Sequence, residues 1–123
     1  MSHFKYFKKK LFIENTSVLN IAKKIKTPFY LYSGKQIEEN YINFAKIFKH
    51  VNPLICFAAK ANTNLTIMRM LGKLGSGADV VSGGELLKAL KAGIKPSKIV
   101  FSGVGKTEDE LKLAIKNKIL LIN

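Results

Sequence analysis

The sequence predicts an α/β fold organised around a parallel sheet, and three observations carry that prediction. Short, mostly apolar segments of strand length recur at 54–59, 78–81, 99–101 and 119–122, Asp79 being the one charged residue among them, each bounded by turn signals, as buried parallel strands are. Between them lie stretches whose apolar residues recur at helical spacing. The connections are short, so strand follows strand at a period of roughly 20–25 residues, which implies right-handed βαβ units. That period suits a barrel better than an open dinucleotide-binding sheet, but the pattern by itself leaves both open.

Each element has its own local reason. Val18, Leu19, Ile21, Ala22 and Ile25 share one helical face, with Thr16 or Ser17 placed to cap it. Pro28 forbids further helix, and Phe29-Tyr30-Leu31-Tyr32 reads as an aromatic strand with an exposed edge. Ser33 is the predicted N-cap of a helix over 34–49 whose buried face is Ile37, Tyr41, Phe44, Ala45 and Phe48. Strand 54–59 follows, then a turn over Asn62-Thr63-Asn64. The next helix runs from Leu65 to Leu74, with Ile67, Met70, Leu71 and Leu74 apolar. Gly75 and Gly77 stop it. Beyond strand 78–81, a helix over 84–92 ends at Gly93, and Pro96 precedes strand 99–101. Thr107 with Glu110 three residues on makes a capping box, and its helix turns Leu111, Ala114 and Ile115 inward before the last strand.

Composition bounds the function classes. Hydrophobic residues make up 47% of the chain, which excludes general disorder. The net charge is +13, from 21 basic and 8 acidic residues. Of the basic residues Arg69 is the one arginine, and base and phosphate recognition favours the planar guanidinium. The lysines are spread along the chain and read as solvated helix faces, which argues against nucleic acid as a partner. The single cysteine, Cys56, excludes an internal disulfide and lies within an apolar run, where a buried, inert thiol is expected. His3 and His50 have no ligand spacing, so no metal site is expected. No apolar stretch approaches the ~20 residues of a membrane span. Leu11-Phe12-Ile13 is followed at once by Glu14, so no signal-peptide core is expected and the chain reads as cytoplasmic.

Lys60 is the most informative residue. It ends the 54–59 run and is followed by Ala61-Asn62-Thr63-Asn64, so it projects from the C-terminal end of a parallel strand. Catalytic groups collect at that end, where loops vary without disturbing the core. An ε-amine in a pocket also forms Schiff bases with carbonyl compounds. The plainer alternative is one of many lysines pointing into water. Two glycine-bearing turns also invite a ligand. Gly103-Val104-Gly105 lacks the third glycine and the following acid of a dinucleotide fingerprint. Gly83-Gly84 would offer backbone amides to an anion, or serve close helix–strand packing.

The residues around Lys60 add a resemblance. Phe57-Ala58-Ala59-Lys60-Ala61-Asn62-Thr63-Asn64 resembles the cofactor-lysine segment of the alanine-racemase-like, fold type III pyridoxal-phosphate decarboxylases. Gly75-Ser76-Gly77-Ala78-Asp79-Val80-Val81-Ser82-Gly83-Gly84-Glu85-Leu86 and Ile99-Val100-Phe101-Ser102-Gly103-Val104-Gly105-Lys106-Thr107 resemble the next two blocks of the diaminopimelate decarboxylases. Order and spacing agree over about 27–123. The resemblance implies the beginning of a (β/α)₈ barrel: about three βα units and a fourth strand at 34–123, behind a segment 1–33 that contributes a strand to a β-domain. It implies pyridoxal 5′-phosphate as cofactor, Lys60 as its anchor, and Asp79 and Glu85 beside it, with Ser102 a weaker candidate. It implies decarboxylation of meso-diaminopimelate to L-lysine and carbon dioxide, an amino-acid substrate, and a homodimer or a complementary C-terminal half as partner. Asp79 also has a plainer reading as a cap or salt-bridge partner, and Glu85 as a charge favoured at a helix N-terminus.

A full barrel needs roughly 250 residues, so the chain reads as the amino-terminal part of such an enzyme. The family's phosphate loop, the acid facing the pyridine nitrogen and the Glu-Pro-Gly-Arg segment would all lie beyond residue 123. The expectation is little or no activity for this chain by itself. The alternatives are a non-catalytic remnant acting as an interaction partner, or another fold type III decarboxylase or racemase. The Gly83–Leu86 and Phe101–Thr107 blocks argue against that last one.

Overall fold

The computed structural model describes residues 3–123. They divide into two compact units, one ending at Asn43 and the other running Phe44–Asn123. In the first unit, β1 (Phe4–Phe7), β2 (Lys10–Ile13) and β3 (Thr16–Ser17) form an antiparallel meander in that order. Sequence patterning does not reveal it. The strands are short, and the β1–β2 turn is made by Lys8 and Lys9, both at positive φ (47° and 62°), where asparagine and glycine are the usual signal. α1 (Val18–Lys24) follows, with Ser17 at the N-cap position but making no side-chain capping bond.

The expected strand over Phe29–Tyr32 is absent. The segment joins no ladder, and Tyr30 is 90% exposed. Aromatic residues favour a strand only where a neighbour pairs with it. The following helix, α2 (Gly34–Ile47), does begin at Ser33, whose Oγ accepts from the Gln36 N–H at 3.1 Å. Glu14 adds a second acceptor at this end, taking the Ser33 hydroxyl at 2.8 Å and the Lys35 N–H at 3.1 Å. Those two bonds, in that order, hold its carboxyl below the ordinary value. The predicted buried face of α2 is not realised. None of its residues is buried, and Phe44 and Phe48, 50% and 38% exposed, pack chiefly on each other with ring centroids 5.0 Å apart.

The second unit repeats strand and helix: β4 (Cys56–Ala58), α3 (Leu65–Lys73), β5 (Gly77–Val80), α4 (Gly83–Lys91), β6 (Ile99–Phe101), α5 (Glu108–Lys116) and β7 (Leu121–Ile122). The strands form a parallel sheet in sequence order, with Ala58, Asp79, Val100 and Leu121 in register across it. Successive residues of a strand face opposite sides. Ala78, Val80, Ile99 and Phe101 are fully buried against Met68 of α3, Leu86 and Ala89 of α4 and Ala114 of α5. Cys56, Ala58, Asp79, Val100 and Ser102 therefore line the opposite, half-buried face.

Helix ends follow the sequence closely. Asn64 caps α3, Ser82 caps α4, and Thr107 with Glu110 completes the predicted capping box on α5. Gly75 and Gly93 leave their helices at φ 100° and 87°. Two helix faces rotate from expectation. α3 buries Met68 together with Ile67 and Leu71, leaving Met70 and Leu74 half-buried. α5 buries Ala114 and packs Leu113, while Ile115 is 67% exposed. Gly77 is required by approach: a Cβ there would lie 2.2 Å from the Lys98 carbonyl oxygen and 2.7 Å from Cys56 Sγ.

Candidate active site

Strand β4 is shorter than the apolar run that encodes it. Ala59–Ala61 form a 3₁₀ turn, so Lys60 stands just past the strand end rather than on it. Ala59 is fully buried and fixes the base of the turn. The loop beyond is stiffened in steps. The Asn62 N–H donates to the Ala59 carbonyl at 3.1 Å, Asn62 Oδ1 accepts from the Asn64 N–H at 3.0 Å, and Asn64 Oδ1 accepts from the Thr66 N–H at 2.8 Å. Lys88 of α4 donates to Thr63 Oγ1 at 2.8 Å.

The Lys60 side chain is exposed, and among the described residues no group hydrogen-bonds or ion-pairs with its ammonium. Two other lysines of this unit are committed to the backbone. Lys98 Nζ donates to the Gly75 carbonyl at 2.8 Å, and Lys106 Nζ donates to the Gly103 and Asn123 carbonyls. A rigid backbone carrying an uncommitted amine is the arrangement that a nucleophile needs.

Asp79 sits on β5 opposite Ala58, two residues before Lys60, with Val80 following it in the strand. Its recorded partner is neither a helix cap nor a cation. Ser102, the residue after β6, donates its hydroxyl to Asp79 Oδ1. Among the described residues Asp79 has no salt bridge. The Cys56 thiol feels the same carboxylate. Burial chiefly, and then the negative charge of Asp79, raise its pKa from the ordinary value. Cys56 is thus half-buried on the open face rather than enclosed in the core.

Glu85 does structural work. Its carboxylate accepts from the Val81 N–H at 2.8 Å, and its own N–H donates to Ser82 Oγ at 3.2 Å, an arrangement close to a capping box. Of the two readings of Gly83-Gly84, the anion cradle is occupied from within. Glu110 of α5 accepts from the Gly83 N–H at 2.7 Å as well as from the Thr107 N–H at 3.0 Å. A Cβ on Gly83 would sit 3.1 Å from Glu110 Cγ. On the far side of the mouth, a Cβ on Gly103 would lie 2.3 Å from the Val81 carbonyl oxygen, so the loops after β5 and β6 are pressed together. Sequence reasoning gave Glu110 a local capping role and missed its reach to α4. Ser102 had one usable signal: it has the parity of Asp79 across adjacent strands, so two polar side chains meet at one sheet end.

A family model described as pyridoxal-dependent decarboxylase, pyridoxal binding domain, matches residues 34–123. The chain belongs to the pyridoxal-dependent decarboxylase family. Diaminopimelate decarboxylases cover the chain. That of Helicobacter pylori is 56% identical over 98 residues, or 80% of this chain and 24% of the relative. That of Aquifex aeolicus is 47% identical over 121 residues, or 98% and 28%. Among solved structures, diaminopimelate decarboxylase from M. jannaschii in complex with L-lysine is 38% identical and superposes with a TM-score of 0.94 over 98% of this chain and 29% of its own. The H. pylori enzyme complexed with L-lysine is 50% identical, with a TM-score of 0.82 over 85% and 27%. This chain therefore spans less than a third of the relatives it matches. Within a family whose fold is a (β/α)₈ barrel, its βα units correspond to the barrel's amino-terminal portion.

The residues present fit the aldehyde end of pyridoxal phosphate. Lys60 offers a free amine on a stiff turn, and a carboxylate without a cation faces the same mouth. The α4 N-terminus is not assigned to the phosphate, because Glu110 already takes the Gly83 amide.

Proposed function

We propose that this chain forms the cofactor-anchoring part of a diaminopimelate decarboxylase, releasing carbon dioxide from meso-diaminopimelate to give L-lysine. The observation that carries the reading is the uncommitted Lys60 amine at the C-terminal end of the parallel sheet. Pyridoxal phosphate, when bound, delocalises the electron pair left on the α-carbon as carbon dioxide departs.

The chain's own residues have narrower tasks. Lys60 holds the cofactor through Nζ, and its stiff loop fixes that nitrogen in direction, so little freedom is lost on binding. Asp79, held by the Ser102 hydroxyl, presents a carboxylate at the same end of the sheet, where it would orient the cofactor by a hydrogen bond. Glu85 acts through the backbone, fixing Val81 and hence the turn that carries the β5 end into α4. The identity to diaminopimelate decarboxylases along almost the whole chain supports the choice of substrate class.

The test is reductive trapping. The chain is incubated with pyridoxal phosphate, reduced with borohydride and mapped by mass spectrometry. Lys60 should be labelled at least about tenfold above the mean of the other lysines, as a difference of roughly 1.4 kcal/mol in affinity would give. Lys106, held by two carbonyls, should remain at background. Labelling spread evenly over the lysines would refute the reading.

A further inference from the structure

We propose that Ser102 is a positioning residue for the cofactor anchor, acting through Asp79. This inference rests on the proposed cofactor role of Lys60. Register places Val100 of β6 beside Asp79 of β5, and Asp79 beside Ala58 of β4. Residues of that parity face away from the buried core, so Asp79 and Ser102 emerge on the same face at the C-terminal end.

Asp79 needs support there. A carboxylate on the rim of an open face swings between rotamers unless something holds it, and in this chain of 21 basic residues its recorded partner is a neutral hydroxyl. Ser102 is fixed in turn, since its N–H donates to the Val80 carbonyl at 2.9 Å, continuing the ladder beyond β6. Gly103 follows immediately, where approach to Val81 leaves no room for a side chain. The serine is thus anchored on both sides and can set the carboxylate's direction.

A hydroxyl also suits the task better than a cation. A lysine at this position would neutralise Asp79 and remove the negative charge it presents at this end of the sheet. A hydroxyl donor orients the carboxylate and leaves its full charge, at the cost of one hydrogen bond. Ser102 thereby separates orientation from neutralisation.

The experiment compares the full chain with Ser102→Ala, Ser102→Thr, Asp79→Asn and the Asp79→Asn/Ser102→Ala pair. The readouts are the pyridoxal phosphate concentration that half-saturates borohydride-trapped label on Lys60, and the pH profile of the visible absorbance of the bound cofactor. Ser102→Ala should raise the half-saturating concentration roughly tenfold, the scale of a hydrogen bond to a charged group, and should move the pH profile. Ser102→Thr, which keeps the hydroxyl, should restore both. In the Asp79→Asn background, Ser102→Ala should add no further loss, because the group it acts through has lost its charge. Label on Lys60 in Ser102→Ala equal to the parent, or a full-sized loss that persists in the Asp79→Asn background, overturns the positioning role and leaves the cofactor reading standing. Absence of selective Lys60 label in the parent chain overturns the cofactor reading itself, and this inference with it. If Ser102→Ala melts below the assay temperature, Asp79→Asn carries the test: a parent-like half-saturation there overturns the proposal.

Discussion

Cys56 is a reporter for the open face of the sheet, because its thiol and the Asp79 carboxylate lie on that one face. Burial first, and then the negative charge of Asp79, disfavour the thiolate, so its pKa lies above the ordinary value. The thiolate is the nucleophile, so alkylation near neutral pH should be slower than for a free thiol. Asp79→Asn removes one of the two raising influences, increases the thiolate fraction and should speed alkylation by roughly two- to fivefold, the scale of a partly screened charge. Iodoacetamide kinetics on the folded chain would measure it, and an unchanged rate would show that the Asp79 charge does not reach the thiol. Residue chemistry was unevenly legible in the sequence. Lys60 stood out because an apolar run, a lysine and a turn signal are all local. The engagement of Asp79 with Ser102 is a cross-strand contact, and no local pattern encodes a partner 23 residues away. Glu85 and Gly83 suggested ligand contacts, yet both are satisfied from within by Val81 and Glu110.

At the scale of elements, Glu110 ties two helices together. It closes the capping box of α5 and accepts the first free amide of α4, so one carboxylate serves the N-termini of successive βα units. The backbone bonds from Thr107 and Gly83, in that order, lower its pKa below the ordinary 4.5, aided weakly by Lys106. A depressed folded-state value stabilises the fold above the unfolded value, and that contribution is lost as pH falls through the folded one. Melting temperature should therefore drop as pH is lowered from about 5 toward about 3. Glu110→Gln should melt lower than the parent at neutral pH but show a shallower acid slope, because Glu14 and Glu39 still titrate downward. Parallel slopes in a circular-dichroism series would remove Glu110 from the account. Most of the second unit was legible because caps and helix stops are local signals. The β1–β3 meander was not, since its hairpin turns on two lysines. The buried face of α2 was not either: helical spacing shows which residues would be covered, but not whether anything covers them.

For the whole molecule, the balance lies between self-repulsion and open apolar surface. The chain carries a net charge of +13, which opposes association at low ionic strength. Its second unit presents cohesive features. Phe44, Phe48, Pro53, Leu54, Ile55 and Cys56 line an apolar hollow of about 300 Å³. Leu121 is 52% exposed, and among the described residues no strand pairs with the outer edge of β4 or β7. Unpaired edges and open apolar faces attract other chains. Salt decides which effect wins, because the screening length shrinks from about 10 Å at 0.1 M to about 3 Å at 1 M, while apolar attraction is not weakened. Sedimentation velocity should therefore show one slow species at low salt and larger species as sodium chloride is raised. Phe48→Lys, which places a charge in the hollow, should shift that onset to higher salt without altering the far-ultraviolet spectrum. A sedimentation coefficient that stays constant across the salt range would mean that these faces are not cohesive, and that the charge is no more than the solvated helix faces that its even spacing suggests.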